Sequence, residues 1–327
     1  MSSVRAILDL LAESTLRTGL PVPVPMEEVY SWALPTGLPR RGRVVLYTGA
    51  LYQLMPYIES LVRYLEALEG RRGSEALVRL ARVLVAAPRF TRTLLSPPPG
   101  ELERVRGILR RVSRLLRAAG YEHAYPYEGD LYSGVLLYDM GMDEAFAEVA
   151  GRVYRRLREA GAELVVTVDP HTTHALRRAY PEFLDGFDLE VKSYVELLAE
   201  AAERGRLRLR GRLAEATIHD PCFYARHEGI VEEPRRLLSL AGVRLVEPRR
   251  SGRMTYCCGG PVESISPRLA SRIAETRVRE LAEKSRSVIV MCPICRANLG
   301  RASSRLGGPV ELVDLAEALE PAGEGAG

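Results

Sequence analysis

Apolar and polar positions follow two different periods along this chain. Val4, Ile7, Leu8 and Leu11 recur at the spacing of one helix face, which predicts a short amphipathic helix that the prolines at 21, 23 and 25 bring to an end. Packing on its own protein explains that stripe better than a docked partner does. Leu38-Pro39-Arg40-Arg41-Gly42 reads as a linker. From Arg43 onward short apolar runs alternate with helical periods. Val44 to Tyr47 is a run stopped by Gly49, as in a strand buried on both faces. A long helical region follows, broken near Pro88 and the prolines at 97 to 99. The pattern then predicts a strand over Tyr121 to Tyr127, a helix from Glu144 to Ala160, strands over Leu164 to Val168 and Leu189 to Val191, and a helix from Tyr194 to Ala202.

The second half runs through the same alternation more compactly. Ala216 to Ile218 is a strand, Pro234 stands near the start of a helix that Gly242 ends, and Val243 to Val246 is the next strand. Ser266-Pro267 caps a helix reaching Glu283, Val288 to Val290 leads into Cys292, and Val310 to Val313 precedes a short helix and a Gly-rich tail. Strands separated by helices imply α/β layers with parallel sheets. The 327 residues exceed what a single core usually reaches, so two domains are expected.

The halves can also be laid on one another. Leu115-Leu116-Arg117-Ala118-Ala119-Gly120-Tyr121 resembles Leu237-Leu238-Ser239-Leu240-Ala241-Gly242-Val243, and this match sets the register of the rest. Tyr47 to Tyr52 then falls on His219 to Tyr224, Leu131 to Gly134 on Cys257 to Gly260, and Asp169 to Thr172 on Cys292 to Cys295. The expected architecture is two tandem Rossmann-like parallel-sheet domains related by internal duplication. Residues 1–42 form an N-terminal helical extension and linker, 43–205 a degenerate cysteine-free domain, and 206–327 the domain that carries the cysteines.

Charge narrows the function. The 46 basic and 42 acidic side chains leave a net charge of +4, too even a balance to favour nucleic acid or an acidic membrane surface. Heavy use of arginine with glutamate and 21 prolines suits a heat-stable protein, as a GC-rich genome also would. Asp9 and Glu13 interrupt what would be the apolar core of a signal peptide, and no apolar run reaches the roughly eighteen residues of a membrane helix. Five cysteines, an odd number in one region, do not form a secreted disulfide framework; a cytoplasmic protein with reduced or ligating thiols is expected.

All five lie between His219 and Cys295. His219-Asp220-Pro221-Cys222, Cys257-Cys258-Gly259-Gly260 and Cys292-Pro293-Ile294-Cys295 each follow or adjoin a predicted strand, and open parallel sheets place ligand sites at the carboxyl ends of their strands. A tetrahedral zinc site takes four ligands, usually as two short-spaced pairs. Here adjacent Cys257 and Cys258 would make an awkward pair, and one thiol would be left over. An iron-sulfur cluster accommodates thiolates from scattered loops, and Gly259 and Gly260 would let backbone amides approach its sulfurs. Iron-sulfur is the favoured reading, with zinc and then a metal-free redox dithiol behind it.

These three motifs resemble the cysteine-rich CCG domain of the B-type and D-type polypeptides of heterodisulfide reductase, and of the iron-sulfur subunits of glycolate, lactate and glycerol-3-phosphate dehydrogenases. The motif resemblance covers about residues 216 to 300. In the heterodisulfide reductase branch it implies a non-cubane 4Fe-4S cluster held by Cys222, Cys257, Cys258, Cys292 and Cys295. Ala50, Leu131, Tyr132, Asp169 and Thr172 stand at the matching places of the first copy, so one cluster rather than two is expected. A single centre needs a partner, a flavoprotein or a ferredoxin-type iron-sulfur protein, and either relays its electrons or reduces a bound disulfide itself. The competing class is a zinc-stabilised interaction module without redox activity.

Outside the cysteines the sequence offers weaker candidates. Asp169, His171 and His174 could hold a metal with one further ligand, although a helix-capping Asp169 beside two partly exposed imidazoles is the simpler expectation. His219, which with His227 flanks Cys222, could donate to a cluster sulfur or be satisfied by nearby backbone. Arg249, Arg250 and Arg253 could attract an anion, but a solvated loop explains them as well. No Gly-rich phosphate loop, Ser-His-Asp order or flavin fingerprint stands out.

Overall fold

The structure is a computed structural model that describes residues 2–68, 88–263 and 266–323. The part of the long helical region over 69–87 and the end of the Gly-rich tail, 324–327, lie outside the described residues, as do the side chains of Val4 and Ile7. Contacts gather the chain into two compact units. One comprises Met1–Gly107, His123–Val165 and Ala175–Val191; the other comprises Ile108–Glu122, Val166–His174 and Lys192–Gly327.

The first helix spans Ser2–Thr18 and ends where Gly19 takes a positive φ of 81°. A Cβ there would lie 2.7 Å from Leu131 Cδ2, so only glycine lets the chain turn back so closely. Strands β1 (Val44–Tyr47), β2 (Leu164–Thr167) and β3 (Glu190–Ser193) form a sheet in the order β1-β2-β3. Helices Leu51–Leu68, Pro88–Leu94, Pro99–Ala118 and Asp143–Glu159 fall between them in the chain. The expected strand over Tyr121 to Tyr127 reduces to one bridging residue, Ala124, paired in parallel with Val45. Its neighbour Tyr125 donates to Pro39 O instead, and after Pro126 the backbone of Tyr127 turns to φ 50°, which removes the ladder on that side.

In the second unit β5 (Glu215–Ile218), β6 (Arg244–Leu245), β7 (Ser287–Val290) and β8 (Glu311–Asp314) build a parallel sheet in the order β6-β5-β7-β8. Its central strands β5 and β7 are buried over their last three residues, which is why Val288–Val290 reads as an unbroken apolar run and Ala216–Ile218 is interrupted only by Thr217. Helix Pro267–Ala282 is capped by Ser266 and packs Ala274, Val278 and Leu281 into a core shared with Val288, Val290, Leu299 and Leu312. A short antiparallel pair, β4 (Leu209–Gly211) with β9 (Leu319–Pro321), was not expected. Strands of three residues each, Leu-Arg-Gly and Leu-Glu-Pro, are too short to carry an alternation that could announce the pair. Among the described residues no helix is long and apolar enough to cross a membrane.

One polar network organises the first unit. Asp130 is fully buried, and its carboxylate accepts from the backbone N–H groups of Thr48 and Gly49 at 3.1 and 3.0 Å and from the hydroxyls of Thr48 and Tyr125. Tyr125 OH also accepts from Trp32 Nε1 at 3.2 Å, so the single tryptophan reports on this network. Burial pushes the Asp130 carboxyl up to about 6 against the pull of these donors. The unfolded chain releases that proton near pH 4, so between about pH 4 and pH 6 the native state holds a proton the unfolded state has lost. Stability of this unit should therefore fall across that window as pH rises, by about 3 kcal/mol at most, and level off above it. Asp130→Asn should abolish the slope and lower stability at pH 7 by roughly 1–3 kcal/mol, measured as the denaturation midpoint of Trp32 fluorescence. An unchanged pH profile in the variant would show that another group sets it.

Candidate metal centre

The three cysteine motifs sit at the carboxyl ends of neighbouring strands of one sheet. β5 runs directly into His219-Asp220-Pro221-Cys222, with His219 N still donating to Ile289 O at 2.9 Å. β7 runs through Met291 to Cys292, whose extended backbone ends the strand and starts helix Pro293–Arg305, placing Cys295 in its first turn. The loop after β6 carries Cys257 and Cys258. Strand order reverses between β5 and β7, which is where open α/β sheets leave a crevice.

Asp220 holds the β6 loop in place. Its carboxylate is 1% exposed, takes Arg235 Nη1 and Nη2 at 2.8 and 3.0 Å, and accepts Gly252 N at 2.7 Å. Its carbonyl accepts the Thr255 hydroxyl at 2.9 Å, two residues before Cys257. Gly259 takes a φ of 87°, and a Cβ on it would lie 2.5 Å from Ala270 O, so the chain passes against helix Pro267–Ala282 as only glycine can. The amides of Gly259 and Gly260 donate to the sulfurs of Cys257 and Cys258 at 3.3 and 3.4 Å.

The five thiols form a continuous chain of hydrogen-bonding neighbours. Cys222 meets Cys257, Cys257 meets Cys258, Cys258 meets Cys295, and Cys295 meets Cys292. All are free thiols; Cys258, Cys292 and Cys295 are buried, while Cys222 and Cys257 form the partly exposed edge. The hydrogen bonds from Cys222 and Cys258 hold Cys257 down and push those two donors up, so ionising one sulfur suppresses its neighbours. A set of adjacent thiols in an apolar core can shed its protons together only with a cation among them.

His219 is 1% exposed, and its partner is a side chain rather than the backbone. Arg277 Nε donates to its Nδ1 at 3.1 Å, and its Nε2 has no partner among the described residues. Burial first, then Arg277, brings its pKa down to about 3, so the ring is neutral. Arg277 is itself fully buried, bonded to Glu280 Oε2 and Arg250 O at 2.9 Å each. Sequence reasoning passed over it among many arginines. The available signal was its place in the helix's core stripe, between Ala270, Ala274, Val278 and Leu281.

The weaker candidates fall into place differently. Asp169 caps helix Pro170–His174, its Oδ1 accepting from His171 N and Thr172 N at 2.9 and 3.0 Å. His171 is buried rather than partly exposed: it lies against Phe223, centroids 4.2 Å apart, and reaches Cys292. His174 pairs with Glu228 at 2.8 Å, and His227 borders the same Phe223 ring. The structure thus brings His171 to the thiols but gathers no separate ligand trio from Asp169, His171 and His174 among the described residues. Arg249 and Arg253 are exposed, while Arg250, its side chain 40% exposed, also binds Glu280 and lies 3.9 Å over the Tyr256 ring.

Comparison with known proteins agrees with this geometry. Residues 216–300 match the cysteine-rich domain family, CCG. The chain is 33% identical to a probable membrane-anchored ferredoxin of Chromohalobacter salexigens over 58% of this chain and 30% of that one. It is 32% identical to a probable iron-sulfur-binding oxidoreductase of Bacillus subtilis, over 58% of this chain and 27% of that one. It is 29% identical to the D-type polypeptide of the dihydromethanophenazine:CoB–CoM heterodisulfide reductase of Methanosarcina barkeri, over 64% of this chain and 54% of that one. The resemblance read from the three motifs is therefore borne out. The chain spans about half or less of the length of these relatives.

Gly259→Ala tests how tightly the thiol loop is held. It combines left-handed strain with a backbone clash at Ala270 and should lower stability by roughly 2–4 kcal/mol in a denaturation experiment. Gly229→Ala, at φ 74° with nothing within 4 Å of its Cβ, should cost only about 1 kcal/mol. Equal losses would mean that contact with the helix contributes nothing.

Proposed function

We propose that this chain is an iron-sulfur redox subunit that holds one 4Fe-4S-type cluster on Cys222, Cys257, Cys258, Cys292 and Cys295. The observation that carries the reading is the convergence of all five thiols at the ends of three neighbouring strands, with two glycine amides donating to two of the sulfurs. When bound, such a cluster supplies one-electron redox chemistry at a potential set by hydrogen bonds to its sulfurs and by burial. The chain's own residues seat it between an apolar core on the Cys258, Cys292 and Cys295 side and the more open Cys222 and Cys257 edge, where electrons would enter or leave.

The names of the relatives, a ferredoxin, an oxidoreductase and a heterodisulfide reductase component, support a role inside a larger redox assembly. The partner is a flavoprotein or ferredoxin-type protein, and a cytoplasmic location belongs to the same reading. The duplication is also part of the proposal, with domains at 43–205 and 206–327. Ala124 with β1, β2 and β3 repeats the order of β6-β5-β7-β8. Helices Tyr194–Glu203 and Leu315–Ala318 both begin in a capping box, Ser193 with Glu196 and Asp314 with Glu317. Gly120 and Gly242 end their helices at φ 84° and 78°. The positive-φ glycines of the two middle loops, Gly134 and Gly259, stand one position apart in the sequence alignment, so the copies differ there by a residue.

One observation favours zinc: a ring nitrogen of His219 and the sulfurs of Cys258 and Cys295 lie within 4.8 Å of one another. The hydrogen bond from Arg277 speaks against it, because Nδ1 is taken as an acceptor and the neutral ring then carries its proton on Nε2, which donates rather than ligates. Iron and acid-labile sulfide analysis of anaerobically purified protein should find both. Cys257→Ser should bleach the visible absorbance while most of the far-UV circular dichroism persists. Colourless protein with one zinc and no sulfide would overturn the proposal.

A further inference from the structure

Two neutral side chains at the thiol pocket are each gripped from behind by an arginine. The first is His219, whose Nδ1 accepts from Arg277. The second is Asn298, 3% exposed, on the helix that Cys292 opens; its Oδ1 accepts from Arg301 Nη2. In both cases the acceptor end is occupied, so the remaining end can only donate, and in both the remaining nitrogen, His219 Nε2 and Asn298 Nδ2, has no partner among the described residues. A buried donor without a partner is costly, and two of them at one pocket call for an acceptor there.

Both side chains lie near the thiols. The position a Cβ would take on Gly260 is 3.4 Å from Cys258 Sγ and 3.6 Å from Asn298 Nδ2, so Asn298 Nδ2 and the sulfur border one point, which Ile294 Cγ2 also reaches at 2.5 Å. His219 shares its 4.8 Å cluster with Cys258 and Cys295. Each arginine is in turn held by a carboxylate, Arg277 by Glu280 at 2.9 Å and Arg301 by Glu263. Pairing offsets the two cationic charges and leaves each arginine with a geometric task, to fix which way its neighbour points.

We propose that Glu280–Arg277–His219 and Glu263–Arg301–Asn298 are two matched relays that present His219 Nε2–H and Asn298 Nδ2–H as hydrogen-bond donors to the sulfurs of the bound cluster, with Arg277 and Arg301 as positioning residues. This rests on the iron-sulfur reading. Reduction adds negative charge to the sulfurs, so donors aimed at them stabilise the reduced form and raise the potential.

Two measurements test it. In the wild-type protein without metal, long-range proton–nitrogen NMR should show neutral His219 protonated on Nε2; a proton on Nδ1 overturns the relay whatever the site binds. In the iron-loaded protein, His219→Leu and Asn298→Leu should each lower the reduction potential by about tenfold in the redox equilibrium, 59 mV for one electron. Arg301→Met should reproduce the Asn298→Leu shift, and the double variant should add nothing to it, whereas Arg277→Lys, which keeps a donor, should retain most of the wild-type potential that Arg277→Met loses. A fully loaded cluster with the same potential in the two leucine variants overturns the inference. Absence of iron and sulfide overturns the cluster reading instead and leaves the tautomer measurement to decide the relay.

Discussion

Crowding sulfur into an apolar core is the constraint on which the second unit turns. Cys258, Cys292 and Cys295 belong to the same buried cluster as Val278, Leu281, Val288 and Leu299, and each thiol is within hydrogen-bonding reach of the next. Thiols so placed resist ionising together, because each thiolate raises the cost of the next in a medium that solvates neither. The cations that border them do not relieve this, since Arg277 and Arg301 are each paired with a carboxylate. What does suit the arrangement is a group that brings its own positive charge and several points of attachment. This is the physical content of the preference for iron-sulfur over zinc: five donors, two amide contacts and two further oriented donors exceed what one tetrahedral ion can use.

The sheet makes that crowding possible. A parallel order of β6-β5-β7-β8 carries three successive loops out at one end, and the switch between β5 and β7 opens the space the loops share. Asp220 then converts a strand end into a fixed loop, bonding Arg235 and Gly252 through its carboxylate and Thr255 through its carbonyl. Gly259 lets the chain lie against helix Pro267–Ala282, and that same helix supplies Arg277 to His219. Stability and site geometry are therefore linked at the same few residues.

The sequence made the strands and the cysteine motifs legible because both are local signals. Apolar runs such as Val288 to Val290 must be unbroken when both faces are buried, and cysteines restricted to three strand ends admit few explanations. It could not show what depends on tertiary pairing. Ala124 looks like a strand and is one bridge, because Tyr125 bonds Pro39 and the chain turns after Pro126. β4 and β9 exist only because they meet each other. His171 belongs beside Cys292 although its own segment offers only a helix cap, and Arg277 resembles every other arginine until its place in the core stripe is counted.

If the two units are copies, as proposed, the cysteine-free unit is what such a strand end becomes without sulfur. Gly49, beside the position aligned with Cys222, donates its amide to a buried carboxylate, Asp130, which also takes the Thr48 amide and two hydroxyls. Leu131 and Tyr132, aligned with Cys257 and Cys258, are apolar or satisfied within the unit, with Tyr132 OH accepting from Leu136 N and Leu131 O accepting from Tyr47 OH. Donors that would face a ligand in one unit face a side chain in the other, so this network fills the place with its own acceptor. In the proposed reading the chain then offers one centre with one partly exposed edge at Cys222 and Cys257. A centre with a single open edge exchanges electrons with whatever docks there, and for that reason the proposed activity belongs to an assembly rather than to this chain alone.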